Sequence, residues 1–319
     1  MKPQGQDPSE ESFYHESVML EEAMHYLQPT RCKRFLDATV GGGGHSEKIL
    51  ESGAELIGLD QDPDAIEFAR ERLEGYGQAC SLIEANYAEF PEILSTVGVG
   101  RLDGILMDLG ISTRQLDNAQ RGFSFMKPGP LDMRMNPGGE LTAEYLVNHS
   151  EEQELQRIFH EYGEEPAGRR IAAAIVRARV DRPITTTTEL AETVERVCAR
   201  RGRKRHPATR VFQALRIAVN DELHSLESGL QSSISWLKPG GRLAVISFHS
   251  LEDRIVKRFM RRHSRVWIDR PEWPEPKPNP DYHFDLVFKK GLRPSRQEVS
   301  ANPRARSAIL RVVERVNYA

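Results

Sequence analysis

Phe35-Leu36-Asp37-Ala38-Thr39-Val40 runs straight into Gly41-Gly42-Gly43-Gly44-His45, and the reading of this stretch decides the fold. A short apolar strand that empties into a glycine loop and then a helix frames a nucleotide-type cofactor site, because glycines let a ligand touch bare backbone. The next apolar run, Leu56-Ile57-Gly58-Leu59, ends on Asp60. That carboxylate falls at a second strand tip beside the loop, where ribose hydroxyls sit. Loop and acid together point to an adenosine ligand.

The glycine spacing narrows the choice. A dinucleotide fingerprint needs glycines at its first, third and sixth positions, and the two available registers put Ser46 or Glu47 at the sixth. No Lys-Ser or Lys-Thr closes the loop, so nothing would reach the β and γ phosphates of a triphosphate. An S-adenosylmethionine site, which has no phosphate to cradle, remains.

The alternation of strands and helices continues downstream. Asp62-Pro63 reads as a helix N-cap followed by proline, with Ile66, Ala69 and Leu73 on one face. Cys80–Glu84 is expected as a third strand with Asn86-Tyr87 at its carboxyl end. The nearly continuous apolar run from Leu102 to Asp108 suits a parallel strand covered on both faces. Ligands of doubly wound sheets collect outside the carboxyl ends of the strands, so Gly43, Asp60, Tyr87 and Asp108 are expected around one crevice.

After Ser112 the rhythm changes. A Pro- and Gly-rich loop containing Pro128, Pro130, Pro137 and Gly138-Gly139 precedes helical patterns. One has a capping box expected at Ser150 and Gln153; others cover Ile171–Val180 and Leu190–Val197. The strand pattern returns at Leu243–Ser247, and two terminal strands, Phe284–Phe288 and Ala308–Val313, are expected with a basic loop between them. An antiparallel pair at the end of a parallel sheet is the finish of class I methyltransferases. The expected organisation is α/β: a discontinuous Rossmann-like sheet domain over 13–112 and 216–319, an inserted helical domain over 113–215, and a flexible leader over 1–12.

Composition sets outer limits. The chain has 319 residues, 29% charged and 39% hydrophobic, with no apolar run of membrane-spanning length and no signal-peptide core, so a cytoplasmic location is expected. Its three cysteines are widely spaced and argue against a disulfide framework or a thiolate metal site. The net charge of −3 does not announce a nucleic-acid binder, but the distribution is uneven. No acidic residue occurs from Arg196 to Asn220, a window that contains Arg200-Arg201-Gly202-Arg203-Lys204-Arg205. A second basic run, Arg254, Lys257, Arg258, Arg261, Arg262 and Arg265, follows helical spacing. Either run could serve a polyanion or be a solvated face, and Glu252, Asp253 and Asp269 stand near the second as local partners.

Several blocks resemble one family. His15-Glu16, Asp37 through Ser46, Met107–Gly110, Gln115–Asp117, Arg121–Phe125, Leu131–Met135, Ser247–Arg254 and Asn302–Ser307 look like the RsmH family, also called MraW, across nearly the whole chain. The resemblance implies S-adenosylmethionine-dependent methylation of cytidine N4 in bacterial small-subunit (16S) ribosomal RNA near the decoding centre, within the assembled 30S subunit. It implies that Gly43, Gly44, His45, Asp60, Tyr87, Asp108 and Gln115 line the cofactor site; Gln115 is carried over from the family alone. Homodimerisation is compatible with the sequence, and neither a membrane nor a metal is implied. Ser112-Thr113-Arg114 departs from the Ser-Ser-Pro of many members.

The exocyclic amine of cytosine shares its lone pair with the ring and needs an acceptor to become nucleophilic. The usual amino-methyltransferase signature, an Asp, Asn or Ser followed by Pro-Pro-aromatic, is replaced here by Asp108-Leu109-Gly110-Ile111. Asp108 and His249 are the catalytic candidates, each with a second reading: Asp108 as a binder of the methionine ammonium, His249 as a turn-fixing residue. Phe123 and Phe125, at alternate positions, are available either to stack on RNA bases or only to anchor their loop to the core. The competing readings are an NAD(P)-dependent oxidoreductase on the same sheet and a non-catalytic RNA-binding protein.

Overall fold

The structure is a computed structural model that describes residues 17–198 and 206–317. Internal contacts divide the chain into two units, Met1–Gly110 with His224–Ala319, and Ile111–Leu223.

The first unit is built on an open sheet. After α1 (Leu20–Leu27) come β1 (Arg34–Asp37), α2 (Gly44–Glu51), β2 (Glu55–Asp60), α3 (Pro63–Leu73), β3 (Cys80–Glu84), α4 (Phe90–Thr96) and β4 (Leu102–Asp108). The second unit holds α5 (Thr113–Asp117), α6 (Ala143–His149), α7 (Glu152–Glu161), α8 (Gly168–Asp181), α9 (Thr187–Val197) and α10 (Ala208–Asn220). The chain then continues through α11 (Glu222–Trp236), β5 (Leu237–Ser247), α12 (Ser250–His263), the short strands β6 (Trp267–Ile268) and β7 (Lys277–Pro278), β8 (Phe284–Leu286), α13 (Arg296–Ala301) and β9 (Ile309–Arg315). The main sheet runs β3-β2-β1-β4-β5-β9-β8. Its first five strands are parallel, and β9 is antiparallel to both β5 and β8.

Alternation along the strands explains the two-sided burial. Leu36, Ile57, Ile105, Met107, Leu243 and Val245 face one side, packed with Phe90 and Leu94 of α4, Leu226 and Leu230 of α11, and Val256 and Met260 of α12. Phe35, Leu56, Leu106, Ala244 and Ile246 face the other, packed with Ala23 and Leu27 of α1 and Ile49 and Leu50 of α2. Both faces being covered is what makes the middle of β4, Ile105-Leu106-Met107, apolar. Asp103 ties its foot to both neighbours, accepting from the Arg34 backbone N–H at 3.0 Å and from Lys238 Nζ at 2.7 Å.

Asp62 caps α3 as expected, accepting from the Asp64 backbone N–H. Other details differ from the sequence reading. The boundary expected after residue 215 falls later, because α10 continues to Asn220, whose side chain holds the backbone of Met133 and Met135. Ser150 and Gln153 form no capping box; the N-cap of α7 is Glu151, with no side-chain cap bond. The expected loop between the terminal strands contains α13, capped by Ser295, and a 3-10 turn over Pro303–Ser307. β5 begins at Leu237, earlier than expected, because the strand continues through a register shift opposite Leu102 and Gly104.

The second unit packs its own core from Leu155, Ile158 and Phe159 of α7, Ile171 and Ile175 of α8, Leu190 and Val194 of α9, and Val211, Phe212 and Leu215 of α10. Phe123 is buried in this core. Phe125 packs against His206 and Phe212 at ring separations of 4.5 and 4.9 Å. Both rings therefore anchor the loop, the second of the two readings the sequence allowed.

Candidate active site

The site gathers at the carboxyl ends of β1, β2, β3 and β4. Asp37, the last residue of β1, is buried; one carboxylate oxygen accepts from Ser46 Oγ at 2.7 Å and the other from the Thr39 backbone N–H at 3.2 Å. Burial pushes its pKa up to about 6, and those two bonds partly offset the rise. Thr39 in turn accepts from the Asp108 backbone N–H at 2.6 Å, which locks the tips of β1 and β4 together.

Between them lies the glycine loop. Gly41 has φ +50°, and its missing side chain opens onto free space. Gly43 is the N-cap of α2 at φ +77°, φ/ψ in the left-handed region that a residue with a Cβ adopts only under strain. At Gly44 an added Cβ would collide with Ser17 Oγ, so its smallness serves the packing of residue 17. Arg72 fixes the loop from outside by donating to the Gly42 carbonyl at 3.0 Å while paired to Glu47.

Asp60 closes the other side. Its carboxylate accepts from the Gly41 backbone N–H at 2.8 Å and from the Asp62 backbone N–H at 2.9 Å. Burial raises its pKa to about 6, against the pull of those amides, and Asp62 and Asp37 add a smaller push upward. Asn86, just past β3, donates to Ser225 Oγ at 3.2 Å and caps the turn that carries Tyr87. The Tyr87 ring is half-buried and sits under Gly229 of α11, where an added Cβ would lie 3.0 Å from the ring.

Asp108 occupies the centre. Its Oδ1 is buried without a hydrogen-bond partner, and its Oδ2 stands 3.6 Å from His45 Nδ1. Its pKa is raised well above the usual carboxylate range by burial, then by the charges of Asp37 and Glu252. His45 is buried, and that burial lowers its pKa to about 4 against the opposing backbone of Val18. Burial thus favours the neutral form of His45 beside Asp108.

His249 and Gln115 are engaged locally. The His249 ring accepts from the Glu252 backbone N–H as the N-cap of α12, while Glu252 accepts from the backbone N–H groups of Phe248 and His249 at 2.7 and 3.1 Å. Gln115 lies in the second unit, where its Oε1 accepts from the Ser112 backbone N–H at 3.0 Å in the capping box of α5. The run Arg200–Arg205 lies outside the described residues. Asp37, Thr39 and Ser46 belong to the site but were absent from the sequence-derived set, although Asp37 heads the glycine stretch and its position as the last residue of an apolar strand was a usable signal.

A parallel sheet with an antiparallel finish and a glycine loop ringed by carboxylates is the arrangement of a class I methyltransferase. The MraW methylase family model matches residues 12–316. Relatives named ribosomal RNA small subunit methyltransferase H include the proteins from Syntrophotalea carbinolica (50% identical over 312 residues, covering 96% of this chain and 99% of that one) and Carboxydothermus hydrogenoformans (47% over 309 residues, 96% and 99%). That from Lawsonia intracellularis is 49% identical over 309 residues, covering 95% and 99%. The chain belongs to the MraW methylase family, which sets aside the oxidoreductase and non-catalytic readings.

Proposed function

We propose that this enzyme transfers a methyl group from S-adenosylmethionine to N4 of a cytidine in small-subunit ribosomal RNA, acting on the assembled 30S subunit in the cytoplasm. The observation that carries the cofactor is the geometry of the cleft: a glycine loop whose Gly41 N–H is held by the Asp60 carboxylate, beside a buried Asp108 Oδ1 that has no donor among the described residues. Acceptor oxygens around such a loop favour a ligand with hydroxyl and ammonium donors over a pyrophosphate. S-adenosylmethionine supplies both, and its sulfonium makes the methyl carbon electrophilic. Asp60 is assigned to the ribose hydroxyls, Gly43 and the backbone at His45 to the loop edge, Tyr87 to the adenine side.

In the transfer, cytosine N4 forms the new N–C bond, the C–S bond breaks with its electron pair staying on sulfur, and the proton that N4 loses passes to solvent. Asp108 is assigned to accept an N4–H bond, which localises the lone pair for in-line attack. His249 acts as a positioning residue that sets the start of α12 beside β5. The target base leaves its stack to reach the site. The identity of the RNA rests on the names of the relatives at 44–50% identity over nearly the full chain.

The test is methyl incorporation from labelled S-adenosylmethionine into undermethylated small subunits and into free 16S RNA, followed by nucleoside mass spectrometry, for wild type and Asp108→Ala. N4-methylcytidine made by the wild type and lost in the variant supports the reading. Cofactor binding with no modified cytidine on either substrate rejects the RNA assignment.

A further inference from the structure

Resting on the reading of this chain as an RNA methyltransferase, we infer that the solvent face of α12, with the β6–β7 hairpin, is a single-stranded RNA-binding surface in the sheet unit, separate from the methyl-transfer cleft. The helix divides its residues sharply. Leu251, Val256, Met260 and His263 are buried, while Lys257, Arg258 and Arg261 are exposed on the helix and Arg265 is exposed just past its Ser264 C-cap. The helix is about 21 Å long, enough to follow several phosphates.

The carboxylates on the helix and the one facing it are committed elsewhere, while Asp269, Glu272 and Glu275 lie in the hairpin segment. Asp253 is paired with Arg311 at 2.8 Å, and Glu252 is folded back onto the backbone of Phe248 and His249. Asp281 holds Arg262 at 2.8 Å. Among the described residues none of Lys257, Arg258, Arg261 and Arg265 has an ion-pair partner. Four neighbouring like charges on one face repel one another, and a polyanion relieves that repulsion.

The hairpin adds an aromatic to the cationic stripe. Trp267 in β6 is 58% exposed, next to Val266 at 48%. It is held beside the helix end by Asn279, whose side chain donates to the carbonyls of Arg262 and Arg265, each at 2.8 Å. Arg270 and Lys277 both lie 4.9 Å from the ring of Trp273 in the same segment. A row of cations ending at a fixed, exposed indole is the combination that binds single-stranded nucleic acid, with phosphates on the cations and a base on the ring.

The experiment compares full-length wild type, the quadruple variant Lys257→Gln/Arg258→Gln/Arg261→Gln/Arg265→Gln and Trp267→Ala. Affinity for unmodified, fluorescently labelled single-stranded 16S RNA fragments is read across a salt series, beside calorimetric binding of S-adenosylhomocysteine. The quadruple variant is expected to bind RNA at least tenfold more weakly, with a salt slope shallower by about 3, since each single-strand phosphate contact contributes about 0.7. Trp267→Ala is expected to weaken RNA binding with the slope unchanged, and S-adenosylhomocysteine affinity is expected to hold in both. Each single substitution, expected to lower the slope by about 0.7, decides the matter if the quadruple variant folds poorly. Wild-type affinity and slope in all variants would overturn the proposal. So would unchanged RNA binding with loss of binding to phosphatidylglycerol vesicles, which would assign the face to a lipid surface. If the wild type methylates no RNA yet the binding differences persist, the enzymatic reading fails and the surface stands.

Discussion

Asp60 accepts the backbone N–H of Gly41 at 2.8 Å, so the acid at the tip of β2 and the first glycine of the loop after β1 form one unit. The carboxylate assigned to the ribose thus also sets the shape of the loop that would receive the rest of the cofactor. Asp60→Ala is expected to weaken S-adenosylhomocysteine binding by 10- to 100-fold, the range for losing bonds to a charged acceptor, about 1.5–3 kcal/mol. Asp60→Asn, which keeps one acceptor oxygen, should lose less. Calorimetric titration of the two variants checks the order.

Cofactor affinity should rise with pH. Asp37 and Asp60 titrate near 6 in the free protein, and a cationic ligand favours their ionised forms, so binding releases protons below that point. Affinity is expected to climb about tenfold per coupled carboxylate between pH 5 and pH 7.5. Titrations in two buffers of different ionisation enthalpy would reveal the released protons; equal apparent enthalpies at pH 5.5 would contradict this.

Asp108 should trade stability for function. Its folded-state pKa is raised, so the native state keeps a proton that the unfolded chain gives up above pH 4, and the cost grows as pH rises from there. Asp108→Asn is expected to melt higher than wild type at pH 8, with the gap closing toward pH 5, as methyl transfer falls at least 100-fold. Calorimetric melts at the two pH values, beside single-turnover rates, test both halves.

His249 separates capping from chemistry. Replacing it with Ala removes the cap of α12 and should cost about 1 kcal/mol, whereas Asn, a good N-cap, should restore stability. If His249 only positions the helix, His249→Asn recovers kcat along with the melting temperature. Recovery of stability without kcat would give the imidazole a part in the reaction.

Gly43→Ala places a Cβ at φ +77°. The strain is expected to cost about 1 kcal/mol and to loosen the loop. A lowered melting temperature with weaker S-adenosylhomocysteine binding is the expected pair of results.

Legibility in the sequence followed the range of the interactions. The glycine loop, Asp60 and the capped start of α3 were readable because each is a local pattern of a few residues with one physical purpose. The buried run of β4 announced itself because both sheet faces had to be apolar. Asp37 was passed over as a functional group because its importance comes from Ser46 and from the neighbouring Asp108, contacts created by the fold. Stacking and loop anchoring stayed level for Phe125 because nothing local reveals that His206 and Phe212 fold against it. The end of the helical unit was misplaced because the pull of Met133 and Met135 on Asn220 spans 87 and 85 residues.

The strand order also has a consequence for how the molecule is made. β4 and β5 are neighbours in the sheet, yet the whole helical unit is encoded between them. A nascent chain therefore completes β3-β2-β1-β4 with the apolar flank of β4 open, and at 5–20 residues per second the strand that covers it arrives roughly ten seconds later. During that interval the growing protein carries an unpaired sheet edge, and the inserted unit, whose core is self-contained, can fold in the meantime. The strand that ends on Asp108 gains its β5 neighbour only after that, so one edge of the sheet beside the candidate cleft is completed late.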